Sequence, residues 1–216
     1  MSSPDEVLKR ISITDLTKKD LELAYALVSL GEEKSSADNH MWGAYIKEKY
    51  DQQTARRLYA KMFISHIESV LFTLRSEALE MAEMNSSEEF SQAELILLAG
   101  KTYVLSSKAE ATERDYSGGI KNDLKFAFRC FAKVFDLKYK PDYSGSGWQA
   151  FQDAVEIRNR ITHPKNPVIS MTINDNEQEA MYKALNWFLE TYHGLLGELR
   201  QTLENSMQRR LLYREK

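Results

Sequence analysis

Arg158 and His163 are the side chains whose types and spacing could do chemistry together. A guanidinium keeps its proton in a protein, so it needs a carboxylate, a phosphate or carbonyl groups to accept its hydrogen bonds. An imidazole has an unperturbed pKa of about 6.5, so its neutral form is present near neutral pH and can take a proton from a hydroxyl. A base beside a fixed cation can create a nucleophile and also stabilise the negative charge that builds up as it attacks.

The element that must position these groups runs from Trp148 onward. At about 100° per residue, Trp148, Phe151, Val155 and Thr162 fall on one helical face with Arg158 in its middle, where a leucine is expected. Such an arginine either has an acidic neighbour in the fold or faces a cleft. Pro164 disfavours helical geometry in the residue before it and Pro167 follows, so the helix is expected to stop at His163. On a continuous helix Arg158 and His163 would diverge by roughly 140°, whereas Asn159 and His163 would share a side. At a frayed end the imidazole can swing toward a groove. A site using both groups is then easier to build along an edge or a subunit interface than inside one bundle.

The run Arg158-Asn159-Arg160-Ile161-Thr162-His163 resembles the signature of the HEPN family, an Arg followed by a polar residue such as Asn, four intervening residues in all, and then His near the end of a bundle helix. The resemblance covers roughly residues 50 to 205, and the six-residue segment is its diagnostic part. It implies an all-α fold, a HEPN-like helical bundle of four to five core helices, with the motifs of two subunits lining a cleft where RNA is cut without a metal. His163 would deprotonate a ribose 2′-OH, Arg158 would stabilise the transition-state charge, and Asn159 would orient the imidazole. Arg160 and Lys165, beside the motif, are the expected RNA contacts. The implied protein is a homodimer without a cofactor, a toxin or defence effector with an antitoxin or regulatory protein as a further partner. One branch of the family, toxins paired with a nucleotidyltransferase antitoxin, carries a modified Tyr two residues after the His. Lys165 stands there instead, which puts that form of regulation in doubt.

The family also contains inactive members, so the alternative is a catalytically silent helical module that binds a nucleotide, RNA or a protein. Plainer roles exist too: an ion pair for Arg158, and for His163 a favourable place at the negative end of a helix dipole. Among the other histidines, His66 reads as a core residue, His40 lies in a loop region and His193 has no polar cluster around it. Glu94 resembles a lone helical acid without a partner, and no group has metal-ligand spacing. Lys121, Lys125, Arg129 and Lys133 recur every four residues opposite Leu124, Phe128, Phe131 and Phe135, either a phosphate track or a solvated helix face.

The chain of 216 residues suits one domain, or one with an extension, and we place an N-terminal helical extension at 1–50 and the bundle at 51–216. Nine Gly and four Pro are too few for the turns of an all-β chain. A formal charge of −3 neither advertises nor excludes a local basic RNA site. The single Cys130 rules out an internal disulfide framework and fits a reducing cytoplasm. With no leader-like start and no run approaching eighteen apolar residues, neither secretion nor a membrane span is expected.

Helices are expected over Thr17–Leu30, with Thr17 and Asp20 at capping-box spacing, and over Gln52–Met84, with Phe63, Ile67, Val70, Leu71, Leu74, Ala78 and Met81 as its apolar face. A third, Glu88–Lys108, would be capped from Asn85, Ser86 or Ser87, and a loop over Asp115–Gly119 would lead to a fourth, Ile120–Leu137. Pro141–Gly147 reads as a linker before the motif helix, and Val168–Ile173 as a short extended piece. The last helix starts with Asn174 and Glu177 at capping-box spacing and lines one side with Met181, Leu185, Phe188, Tyr192, Leu195 and Leu199.

Overall fold

The computed structural model describes residues 15–32, 51–84, 89–166 and 170–214, with side chains at 18–26, 51–84, 89–166 and 170–208. Among these residues the chain forms six helices and one hairpin: α1 (Asp15–Glu32), α2 (Gln52–Met84), α3 (Gln92–Leu98), β1 (Lys101–Leu105), β2 (Ala111–Asp115), α4 (Ile120–Val134), α5 (Ser146–Thr162) and α6 (Asp175–Arg214). None of these helices is long and apolar enough to cross a membrane. Contacts divide the chain into two compact units. Of the described residues, one comprises 15–32, 51–69, 142–166 and 170–191, the other 70–84, 89–141 and 192–214, and α2 and α6 run through both.

The unit with the motif is built from α1, the first part of α2, α5 and the first part of α6. Its core contains Tyr59, Phe63, Ile64 and Ile67 of α2, Phe151, Ala154 and Val155 of α5, and Met181, Ala184 and Phe188 of α6. α1 buries Leu21 and Ala24 and sets Tyr25 edge-on to Tyr182 at 5.3 Å. Thr17 and Asp20 lie inside α1, which starts at Asp15, two residues before the expected start.

An aromatic cluster fixes α5. Trp148 lies 5.3 Å from Phe151 and 5.4 Å from Trp187, and Phe151 lies 5.5 Å from Trp187. Gly147, read from sequence as part of a linker, is instead the second residue of α5. A Cβ there would meet Trp187 Cδ1 at 2.5 Å, so this glycine lets the helix backbone approach the indole. α6 begins as its spacing predicts, with the Asn174 N–H donating to Glu177 Oε2 and the Glu177 N–H to Asn174 Oδ1, both at 3.0 Å.

The other unit corrects the sequence reading most. The expected helix over Glu88–Lys108 is the short α3 followed by the hairpin. Ser91 caps α3, its hydroxyl accepting from the Glu94 N–H while the Glu94 carboxylate accepts from the Ser91 N–H. Gly100, at φ +72°, ends the turn in a conformation that costs glycine little. The following Thr102, Tyr103 and Val104 favour strand, and β1 pairs with β2 with Tyr103 opposite Glu113. The expected loop at Asp115–Gly119 therefore begins one residue later, after β2.

In this unit Ala78, Ala82, Phe90, Leu98 and Cys130 form a buried cluster. α4 buries Leu124, Phe128 and Phe131. Two cations of its opposite stripe have a structural partner: Glu94 pairs with Arg129 at 3.1 Å and with Lys133 at 3.4 Å, so Glu94 is not a lone acid. Asn85, Ser86, Ser87, His40 and Val168 lie outside the described residues, and no strand forms over the described residues 170–173.

Phe151, fully buried between two tryptophans, gives a direct test of this packing. Phe151→Ala should lower the unfolding free energy by about 3–5 kcal/mol. Urea titration followed by tryptophan fluorescence would read that loss together with a spectral change in the native baseline.

Candidate functional site

α5 leaves the core as it approaches its C-terminal end. Trp148, Phe151, Ala154, Val155, Ile157 and Ile161 are buried, whereas the Arg158 side chain is 29% exposed and Asn159, Thr162 and His163 are exposed. The stripe therefore does not carry Arg158 into a closed interior. Its guanidinium lies at the margin, with one nitrogen 3.3 Å from Glu68 Oε1 and another 3.2 Å from Asn159 Oδ1. The acidic neighbour that burial demanded is thus Glu68 of α2. Its side chain is itself 51% exposed.

The end of the helix is built from the same few residues. His163 is the C-cap, with φ −124° and ψ 65°, and its N–H donates to the Asn159 carbonyl at 2.9 Å. The Thr162 hydroxyl donates to the Arg158 carbonyl at 2.6 Å, a back-bond to the residue four positions earlier that keeps this side chain against its own helix. Asn159 thereby touches both partners of the motif, Arg158 through its side chain and His163 through its backbone. It does so differently from the sequence reading, because its carboxamide oxygen faces the guanidinium and not the imidazole. Among the described residues, the His163 backbone N–H is the one group of this residue engaged in a hydrogen bond, so the imidazole stands open at the helix end.

Arg160 has a different place. Its guanidinium donates to the Thr172 carbonyl at 2.8 Å and pairs with Glu177 at 2.6 Å. These bonds latch the end of α5 to the start of α6. An open cavity of about 600 Å³ beside this latch is lined by Asp153, Glu156, Ile157, Arg160, Asn174, Asn176, Glu177 and Ala180. Lys165 is exposed just past the helix.

Glu68 was missed in the sequence. It is separated from Arg158 by ninety positions and lies on a helix chosen for its apolar face, so no local spacing marks it. His66, one of its neighbours on α2, is a core residue as expected: it is 3% exposed, with its ring edge-on to Phe188 at 6.3 Å. Burial, and to a lesser degree the Lys18 ammonium, pushes its pKa down to about 4. Among the described residues no group of three His, Cys, Asp or Glu side chains is placed to hold a metal ion. Comparison with protein-family models, curated proteins and solved structures finds no match to this chain.

Two stability measurements separate these roles. Because both partners of the Arg158–Glu68 pair reach solvent, Arg158→Ala should change the unfolding free energy by no more than about 1 kcal/mol, leaving the circular-dichroism melt nearly unchanged. His66 should behave otherwise. Its folded pKa lies below the unfolded value of about 6.5, so the unfolded chain binds the extra proton. The associated stability is present above pH 6.5 and lost as pH falls toward 4, a loss on the order of 3 kcal/mol. His66→Gln should flatten the pH dependence of stability within that window.

Proposed function

We propose that this chain is a metal-independent endoribonuclease of the HEPN kind, acting as a homodimer in the cytoplasm. The observation that supports this most is the arrangement around Asn159, which holds the Arg158 guanidinium on its side chain and the His163 backbone on its carbonyl while the imidazole stays open. The cation and the backbone of the residue that carries the base are thus tied to one asparagine at a surface that a polymer can reach.

In this reading the neutral His163 imidazole takes the proton of a ribose 2′-OH. The freed oxygen attacks the adjacent phosphorus, the bond to the 5′-oxygen breaks, and that oxygen takes a proton from water as the imidazolium returns its own to solvent, giving a 2′,3′-cyclic phosphate and a 5′-hydroxyl. Arg158 stabilises the charge on the phosphoryl oxygens during attack. Glu68 shares the guanidinium in the free protein, so an incoming phosphate must displace it or bind beside it. Lys165 contacts the RNA backbone, and Arg160, latched to Glu177, holds the end of α5 in place and lends its charge to the neighbourhood. A toxin or defence role, with an antitoxin or regulatory protein to restrain it, accompanies the same reading.

The Arg158–Glu68 pair also favours a second reading, a catalytically silent module in which the motif holds a nucleotide, RNA or a protein partner. The two part on a cleavage assay in EDTA. The nuclease should cut RNA to products ending in a 2′,3′-cyclic phosphate or its hydrolysed form, and a 2′-deoxy residue at the cut position should resist.

His163→Ala and Arg158→Ala should abolish cleavage without unfolding the chain, Asn159→Ala should weaken it, and Glu68→Gln should tighten RNA binding by removing the competing carboxylate. RNA bound but left intact by the wild-type protein would select the silent module. Activity lost in EDTA and restored by a divalent metal would refute the 2′-OH mechanism.

A further inference from the structure

The hairpin has one edge that its own side chains leave unguarded. The Ser106 N–H donates to the Glu110 carbonyl at 2.9 Å and the Tyr116 N–H to the Gly100 carbonyl at 2.8 Å. In an antiparallel ladder the inward-facing backbone groups alternate, so Thr102 and Val104 also pair inward. The N–H and C=O groups of Lys101, Tyr103 and Leu105 therefore point away from β2, along the outer edge of β1. Side chains of these three residues also share one face. That face is open, with Tyr103 54% and Leu105 75% exposed.

The two edges differ in charge. The outer edge of β2 carries Glu113 and Asp115, the kind of charged residues that discourage strand addition. Along β1 the one charge is Lys101, which already pairs with Glu113 at 3.4 Å and with Asp115 at 3.0 Å. A two-stranded sheet is marginal by itself and gains stability from further strands.

We propose that the outer edge of β1 pairs with β1 of a second copy of this chain, antiparallel about a two-fold axis at Tyr103, to form a continuous four-stranded sheet. The strand is self-complementary in that register. Tyr103 meets Tyr103 of the second copy, Lys101 lies opposite Leu105, and Thr102 lies opposite Val104, so no like charges face each other. The two tyrosines form an aromatic cross-strand pair, flanked by the leucines. The same operation on β2, centred on Glu113, would set that carboxylate against its own copy. An isologous two-fold contact is also the commonest way for soluble chains to associate. The homodimer is then joined in the unit that does not contain Arg158 and His163, so the contact does not depend on a cleft shared by the two motifs, and the inference holds whether or not the chain cuts RNA.

Sedimentation of the full chain across micromolar concentrations tests the proposal. The wild type should sediment as a dimer that dissociates on dilution. Tyr103→Pro removes an outward N–H and the ring while sparing the inward ladder, and should give a monomer with an unchanged helical signal. Leu105→Lys, opposite Lys101, should associate about tenfold more weakly than Leu105→Glu, which places an opposite charge there. On oxidation Tyr103→Cys should link the two copies, since directly paired Cα atoms lie about 5.5 Å apart, within disulfide reach. Glu113→Cys should remain unlinked, and the native Cys130 is buried and does not interfere. A wild type that is monomeric throughout overturns the proposal. So does a dimer that survives Tyr103→Pro and fails to link through Tyr103→Cys, because such a dimer is joined elsewhere.

Discussion

Burial of the aromatic face of α5 is the constraint on which the candidate site depends. Trp148 and Phe151 stack on each other at 5.3 Å and both pack tilted against Trp187 of α6 at 5.4–5.5 Å, and Gly147 lets the α5 backbone lie directly against that indole. Rings of this size dominate the energetics of a small core, so their placement fixes the rotation of α5 about its own axis. Once that rotation is set, the direction of each later residue follows at about 100° per step. Ile157 and Ile161 continue into the core, Arg158 falls at its margin, and Asn159 and Thr162 turn outward. The chemistry at the end of the helix is therefore positioned by apolar packing at its beginning.

Polar contacts refine what that packing sets. Arg160 ties the last turn of α5 to the Thr172 carbonyl and to Glu177, and Glu177 in turn belongs to the capping box that starts α6. One carboxylate thus closes a helix start and anchors a helix end. Charge-assisted bonds of this kind are directional, which apolar contacts are not, so they orient the last turn of α5 against the start of α6. Arg158 is held more loosely, between a neutral carboxamide and a carboxylate that reaches solvent.

Much of this was legible in the sequence because it is periodic or local. The apolar stripe of α2 is buried at every residue read from it, and the Asn174–Glu177 box forms as spaced. The end of α5 beside Pro164 needed only the geometry of a pre-proline residue. What failed was the region after Ser91. Leu95, Leu97 and Leu98 followed by Tyr103, Val104 and Leu105 give a short apolar series that fits helix and strand alike, and Gly100 decides between them through its positive φ. The Glu68 contact was beyond reach for another reason. An ion pair across ninety positions depends on how two helices pack, and neither partner's neighbours record it. Arg160, read as an RNA contact, bonds instead to the Thr172 carbonyl and to Glu177, partners that no local spacing marks.

The same helix that carries the motif is unevenly protected along its length. At its beginning, backbone amides lie beneath Trp148, Phe151 and the Trp187 ring against Gly147. At its end, carbonyls and amides meet solvent and a few side-chain bonds. Local opening is cheapest where little apolar surface must be exposed. Amide hydrogen exchange along α5 should consequently form a gradient, slow over the aromatic turns and fast over the last turn. Helix fraying alone could then vary the separation between the His163 ring and the guanidinium, without any movement of the helix as a rigid body.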